Sequence, residues 1–215
     1  KENSILSFYG RSDDHNTTGR NQTYKLNFTQ ILGKIELGAT HSTGLRNPTL
    51  YELYGTDNYG IGGNVNLDPE KSRTNELYGK YNFSENLSFN STAYRTTIFD
   101  RIESNAAYSR HENQLINLNQ EGLENELFYE SNNQNFSIFT NFSKSRKTNG
   151  QAQNRRPDLN YGSNYVKNFL FTPIGAFSLN LNYKYTGKHT DYDGANNIRQ
   201  KSIDIVNLSF SKKLL

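Results

Sequence analysis

The sequence predicts an all-β fold: an antiparallel up-and-down meander of about ten strands, one stretch of a transmembrane β-barrel. Three observations lead there. Apolar and polar residues alternate with period two along almost all of the 215 residues, the connections between the alternating runs are short and long in turn, and the composition is polar but rich in rings. Only 33% of residues are hydrophobic and the mean hydropathy is −0.87, poor material for a globular core. Yet 15 Tyr and 13 Phe are too many for a disordered chain. A sheet with one apolar face spreads apolar groups this thinly. No run approaches the roughly 18 apolar residues of a membrane helix, whereas a membrane strand needs only about 9–11 residues with every second one apolar.

The strands are expected near 4–12, 22–31, 34–43, 72–82, 87–99, 122–131, 135–146, 158–171, 175–187 and 202–213. In the second, Tyr24, Leu26 and Phe28 alternate with Lys25 and Asn27, and in the third Ile35, Leu37 and Ala39 alternate with Glu36 and Gly38. Phe136, Ile138, Thr140 and Phe142 form the row of the seventh. The ninth is clearest, with Phe177, Leu179, Leu181, Tyr183 and Tyr185 on one face and Ser178, Asn180, Asn182 and Lys184 on the other. Two strands break the pattern, with Leu127 beside Phe128, and Ile203 and Ile205 with Val206 and Leu208, which a bulge or a change of phase would explain. Short turns are expected at Leu32-Gly33, Ser84-Glu85-Asn86, Asn132-Asn133-Gln134 and Thr172-Pro173-Ile174, and long connections at 13–21, 44–71, 100–121, 147–157 and 188–201. Tight turns at one rim and long loops at the other are the habit of outer-membrane barrels. Tyr81, Tyr94, Tyr183 and Tyr185 fit an aromatic girdle. A soluble β-sandwich or repeat protein also alternates, and stays open on pattern alone.

One long connection carries a double block. It reads Gly44-Leu-Arg-Asn-Pro-Thr-Leu-Tyr-Glu-Leu-Tyr-Gly55, then, after a short insertion, Asn64-Val-Asn-Leu-Asp-Pro-Glu-Lys-Ser72. This resembles the paired signature of TonB-dependent outer-membrane receptors, matching at Arg46, Pro48, Leu50, Tyr51, Leu53, Asn64, Asn66, Leu67, Pro69, Glu70 and Ser72. Val65 replaces the family's proline. Arg11 to His15, Tyr94 to Ile102, Asn117 to Glu126, Arg155-Arg-Pro157 and Tyr185-Thr-Gly187 resemble successive elements of vitamin B12 (cobalamin) receptor-like members. The resemblance implies a Gram-negative outer-membrane receptor, not an enzyme, that takes up a scarce nutrient such as cobalamin or an iron siderophore with TonB-supplied energy. It implies a barrel of about 22 strands closed by a plug. Residues 1–215 would be one part of that barrel domain, about its eleventh to twentieth strands, with the N-terminal plug and the closing strands absent. The lack of any methionine fits a piece of a longer chain.

Chemistry is thin elsewhere. With no cysteine there is no disulfide and no thiolate site, and His15, His41, His111 and His189 are scattered without ligand spacing. Ser42 beside His41 would point to the opposite face of its strand, against a hydrolase. Asp191 to Asn197 is rich in oxygen ligands, but its glycine is misplaced for a calcium loop and no closing Glu follows. No cofactor and no bound metal are expected. The net charge of +3 is no nucleic-acid footprint, though Lys144, Arg146, Lys147, Arg155 and Arg156 crowd one loop and suit lipopolysaccharide or an anionic ligand. Under the resemblance, ligand binding falls to the long loops, at Arg46, Tyr51, Tyr54, Asp57, Tyr59, Tyr108 and Arg110. The signature residues Pro48, Leu50, Asn64, Asn66, Leu67, Pro69, Glu70 and Ser72 would be structural. Expected partners are the TonB complex, acting through the plug, outer-membrane lipid and lipopolysaccharide, and a small nutrient; nucleic acid is not among them.

Overall fold

The computed structural model describes residues 2–58, 60–105, 107–170, 175–192 and 196–212. Ten strands form one antiparallel sheet: β1 (Glu2–His15), β2 (Gly19–Leu32), β3 (Ile35–Arg46), β4 (Glu70–Asn82), β5 (Leu87–Phe99), β8 (Leu118–Ser131), β9 (Gln134–Lys147), β10 (Leu159–Phe169), β11 (Phe177–Thr186) and β14 (Ile203–Lys212). Their order in the sheet is their order in the chain, an up-and-down meander with β1 and β14 at its two edges. Two further hairpins sit inside long connections: β6 (Arg101–Ser104) with β7 (His111–Gln114), and β12 (His189–Tyr192) with β13 (Asn197–Gln200). A one-turn helix, α1 (Leu50–Tyr54), interrupts the otherwise all-β chain.

Register sorts the side chains. Leu26, Ala39, Leu77, Ala93, Leu123 and Phe142 share one face, as do Leu181 and Leu208 further along. That face is open: Leu6 is 71% exposed, Leu77 65% and Leu208 68%. One polar row crosses it, where Ser91, Asn125 and Thr140 bond to one another at 2.8 and 3.2 Å and so satisfy their groups within the sheet. The opposite face carries Lys25, Glu36, Glu76, Glu124 and Lys184. On it Asn27 and Thr40 bond at 2.8 Å, and the Tyr78 hydroxyl meets Thr29 at 2.7 Å and donates to Glu36 at 3.1 Å. The Tyr78 ring lies across the neighbouring strand at Gly38, where an added Cβ would collide with it. The Tyr94 ring does the same at Gly122.

Several expectations need correction. The pairing registers of β8 and β14 run unbroken, so neither bulge nor phase change is present; Phe128, Ile203 and Ile205 simply face the polar side. Tyr94 is no girdle residue: it stands mid-strand on the polar face, opposite Glu76 and Gly122. The connection placed at 13–21 is a turn at 16–18 on top of a hairpin whose strands run to His15 and from Gly19. There the strands carry polar residues on both faces, so the alternation fades although the ladder continues. The turn Thr172-Pro173-Ile174, Phe171 at the end of the eighth expected strand and Lys213 at the end of the last lie outside the described residues.

Candidate functional site

The alternation of turns puts the connections 47–69, 100–117, 148–158 and 187–202 at one end of the sheet. The first two build a joint platform, and its frame begins at Thr49. The Thr49 hydroxyl accepts from the Glu52 N–H at 3.2 Å while the Glu52 carboxylate accepts from the Thr49 N–H at 2.8 Å, a capping box that starts α1. That carboxylate also receives both terminal nitrogens of Arg46, at 2.9 and 3.1 Å, and Arg46 Nε donates to Glu70 at 2.7 Å. Glu70 in turn accepts from the Ile102 N–H at 2.8 Å, which joins the second loop to the first. Leu53 and Leu67 from the first loop and Ile102 from the second form a small buried core beneath α1. Partial burial pushes the Glu52 carboxyl up, but Arg46 and the Thr49 donors outweigh it and hold it below the ordinary range.

The rest of the platform is backbone. Gly62 donates to the Ser109 carbonyl at 2.8 Å and accepts from the His111 N–H at 3.1 Å. Asn64 donates to the His111 carbonyl at 3.0 Å, and Asn113 ties Asp68 to Asp100. The loops are thus sewn into one surface at Gly62 and Arg110.

Of the residues expected to bind, Tyr51 packs edge-on to the His111 ring at 5.7 Å and stays 47% exposed, while Tyr54 and Tyr108 are exposed. Tyr108 has φ 52, a left-handed backbone rare for a bulky residue, imposed by Asn105, whose carbonyl accepts from the Tyr108 N–H and whose side chain accepts from the Ser109 N–H. Arg110 is paired with Glu112 at 2.7 Å but remains open to solvent. Asp57 closes the loop tip, accepting from the Ile61 N–H at 2.8 Å. Tyr59 lies outside the described residues. Of the signature residues, Pro48, Leu67 and Pro69 are buried, Glu70 anchors the ion pair, Asn66 donates to the Asn64 side chain, and Ser72 stands across from Gly44. Leu50 is the exception, 77% exposed on the outer side of α1. The sequence reading missed Glu52, Asn105 and Asn113; only the Thr49-x-x-Glu52 spacing signalled any of them. Asp193, Gly194 and Ala195 of the oxygen-rich loop lie outside the described residues, and Asp191 is ion-paired with Arg155. His41 and Ser42 do point to opposite faces.

A ten-stranded meander with an apolar face, a polar face and a loop platform at one end meets a family match over nearly its whole length. The model of the TonB dependent receptor-like β-barrel family matches residues 3–214. The chain belongs to that family. Among curated proteins none matches it. Among solved structures it is similar to the ferric enterobactin receptor PfeA (22% identity, 99% of this chain and 36% of that one, TM-score 0.76). It is also similar to the siderophore receptor PirA from Acinetobacter baumannii (17%, 96% and 36%, 0.74) and to the copper transporter OprC (13%, 91% and 32%, 0.67). At these identities the likeness is one of fold. The chain spans about a third of the length of these receptors.

Proposed function

We propose that residues 1–215 form part of the wall and outer loops of a Gram-negative outer-membrane receptor that imports a scarce nutrient with energy relayed by TonB through a plug. The substrate in this reading is a metal chelate of siderophore type. The observation that carries it is the platform of two interlocked long loops at one end of a family barrel sheet. It presents Tyr51, Tyr54, Tyr108 and Arg110 while Arg46, Glu52, Glu70 and Asp57 are engaged in holding its shape. Exposed rings beside a guanidinium suit a bulky, partly charged complex. The similar structures named for siderophores, iron chelates or copper favour a metal chelate over cobalamin. The polar face, with its carboxylates and lysines, suits a watery lumen filled by a plug.

The test is growth under iron limitation of cells whose only high-affinity receptor is the intact protein, supplied with ferric chelates one at a time, with copper and with cobalamin. Growth on at least one ferric chelate, abolished when the proton gradient is dissipated, is the expected result. With that chelate, Tyr54→Ala combined with Tyr108→Ala should weaken uptake about tenfold, as expected for ~1.4 kcal/mol of lost contact. Failure to take up any metal chelate, or uptake indifferent to the gradient, overturns the proposal.

A further inference from the structure

A second recess lies at the same end of the sheet, between the connection 148–158 and the β12–β13 hairpin. The two are fastened together: the Arg155 N–H donates to the Thr190 carbonyl at 2.7 Å, the Asn154 amide donates to Asn197 at 3.1 Å, and Arg155 pairs with Asp191. The first segment is itself folded back on β9, with Gln153 donating its N–H to the Ser145 carbonyl at 2.9 Å and Arg146 bridging Ala152. Both walls of the recess are therefore built by hydrogen bonds between backbone groups rather than by long side chains alone.

The cleft encloses about 240 Å³, and Arg146, Arg156, Lys188, Arg199 and His189 line it beside a single carboxylate, Asp158. Among the described residues none of the four lysine and arginine side chains makes an ion pair. The four cations are exposed, so solvent and salt screen them in part, but they line one small recess where like charges add. A bound anion would relieve their repulsion, and guanidinium groups offer paired donors to a planar or tetrahedral oxyanion. His189 donates from Nδ1 to the Gly187 carbonyl at 3.3 Å, which fixes the ring. The volume falls below the roughly 300–1,000 Å³ of whole-ligand pockets. It suits an anionic group, not a complete chelate.

We propose that this cleft is a binding site for a multiply charged oxyanion, a phosphate or polycarboxylate group. The inference rests on the reading of this end of the barrel as its extracellular mouth, where such a group arrives either on a soluble nutrient complex or as the phosphate of an outer-leaflet lipid. The test is calorimetric titration of the intact, detergent-solubilised protein with pyrophosphate at low ionic strength. Saturable binding is expected, weakened at least about tenfold by Arg156→Gln with Arg199→Gln and lost as salt shortens the Debye length from about 30 Å to about 8 Å. Arg20→Gln, a cation on the β1–β2 hairpin, should change nothing. No saturable binding, or equal affinity in the double variant, overturns the proposal; both substituted side chains are exposed, and retained resistance to detergent denaturation shows that the barrel is intact. Displacement of pyrophosphate by citrate alone supports a soluble anion, displacement by solubilised lipopolysaccharide alone supports a lipid phosphate, and displacement by neither overturns the site. Anion binding by a protein that imports no metal chelate would sink the uptake reading and leave the cleft standing, while uptake without anion binding would do the reverse.

Discussion

At the residue scale, Arg46 shows how far a spacing can be read. Its position before the Pro-Thr-Leu-Tyr-Glu block marks it as important, but both its carboxylate partners are needed to see why: Glu52 arrives through a capping box and Glu70 through the β3–β4 ladder. The five residues of α1 could not stay helical alone, since a single turn does not repay its nucleation; Leu53 packed on Leu67 and Ile102 supplies what propensity cannot. No periodicity reveals so short a helix, although Thr49-x-x-Glu52 is a visible start signal. Because Glu52 is held below its ordinary value, the stability it contributes is present above its unfolded pKa of roughly 4.3 and is lost as pH falls through the folded value. With Arg46 42% exposed, solvent screens the pair and the contribution is about 1 kcal/mol. The protection factor for hydrogen exchange of residues 47–69 in the intact protein, taken relative to the intrinsic exchange rate at each pH, should thus be higher at pH 7 and fall about fivefold once Glu52 is protonated in acid. Glu52→Gln should show the lower protection already at pH 7. Equal protection of variant and wild type would show that the ion pair does not hold the loop.

At the element scale, what was legible followed from period two. Where one face is apolar, as in β2, β3 and β11, strand positions and facing are read directly, because a slip of one residue would turn every Leu and Phe to the polar side. Where both faces are polar, as at the top of the β1–β2 hairpin, the ladder leaves no trace in composition and the turn at 16–18 passes for a long loop. Tyr94 illustrates the complementary failure: an aromatic residue can belong to the polar face when it covers a glycine on the next strand, here Gly122. The small hairpins β6–β7 and β12–β13 were illegible because residues more than forty positions away hold them, Asn64 on His111 and Asn154 on Asn197. Facing has a direct consequence in β11. Leu181, paired with Tyr165 and Leu208, lies on the apolar face, and Asn180, paired with Val166 and Ser209, on the other. Leu181→Arg should cost about 2–4 kcal/mol of membrane stability if it lies near the bilayer midplane. Heat-modifiable assembly of the intact protein in outer-membrane fractions should collapse for Leu181→Arg and persist for Asn180→Arg; equal tolerance of both would remove the membrane-facing assignment.

At the scale of the whole molecule, the sheet as described leaves β1 and β14 paired on one side only, and leaves its apolar face open. Each fact alone would be tolerable in water. An edge strand can be blunted by charge, and scattered apolar residues are ordinary on a surface. Together they are not, because the exposed apolar residues are contiguous by register across neighbouring strands, and a membrane would not accept unpaired edges either, each unsatisfied backbone group costing several kcal/mol in hydrocarbon. Closure by further strands within a membrane would resolve both at once, which is the plugged-barrel arrangement proposed above and one a sandwich does not need. Residues 1–215 expressed alone should accordingly sediment as aggregate in detergent-free buffer, and in detergent should self-associate through β1 and β14. A sharp monomeric species with dispersed, well-packed spectra in water would mean that the apolar face is covered by this chain itself, and would return the soluble sandwich to first place.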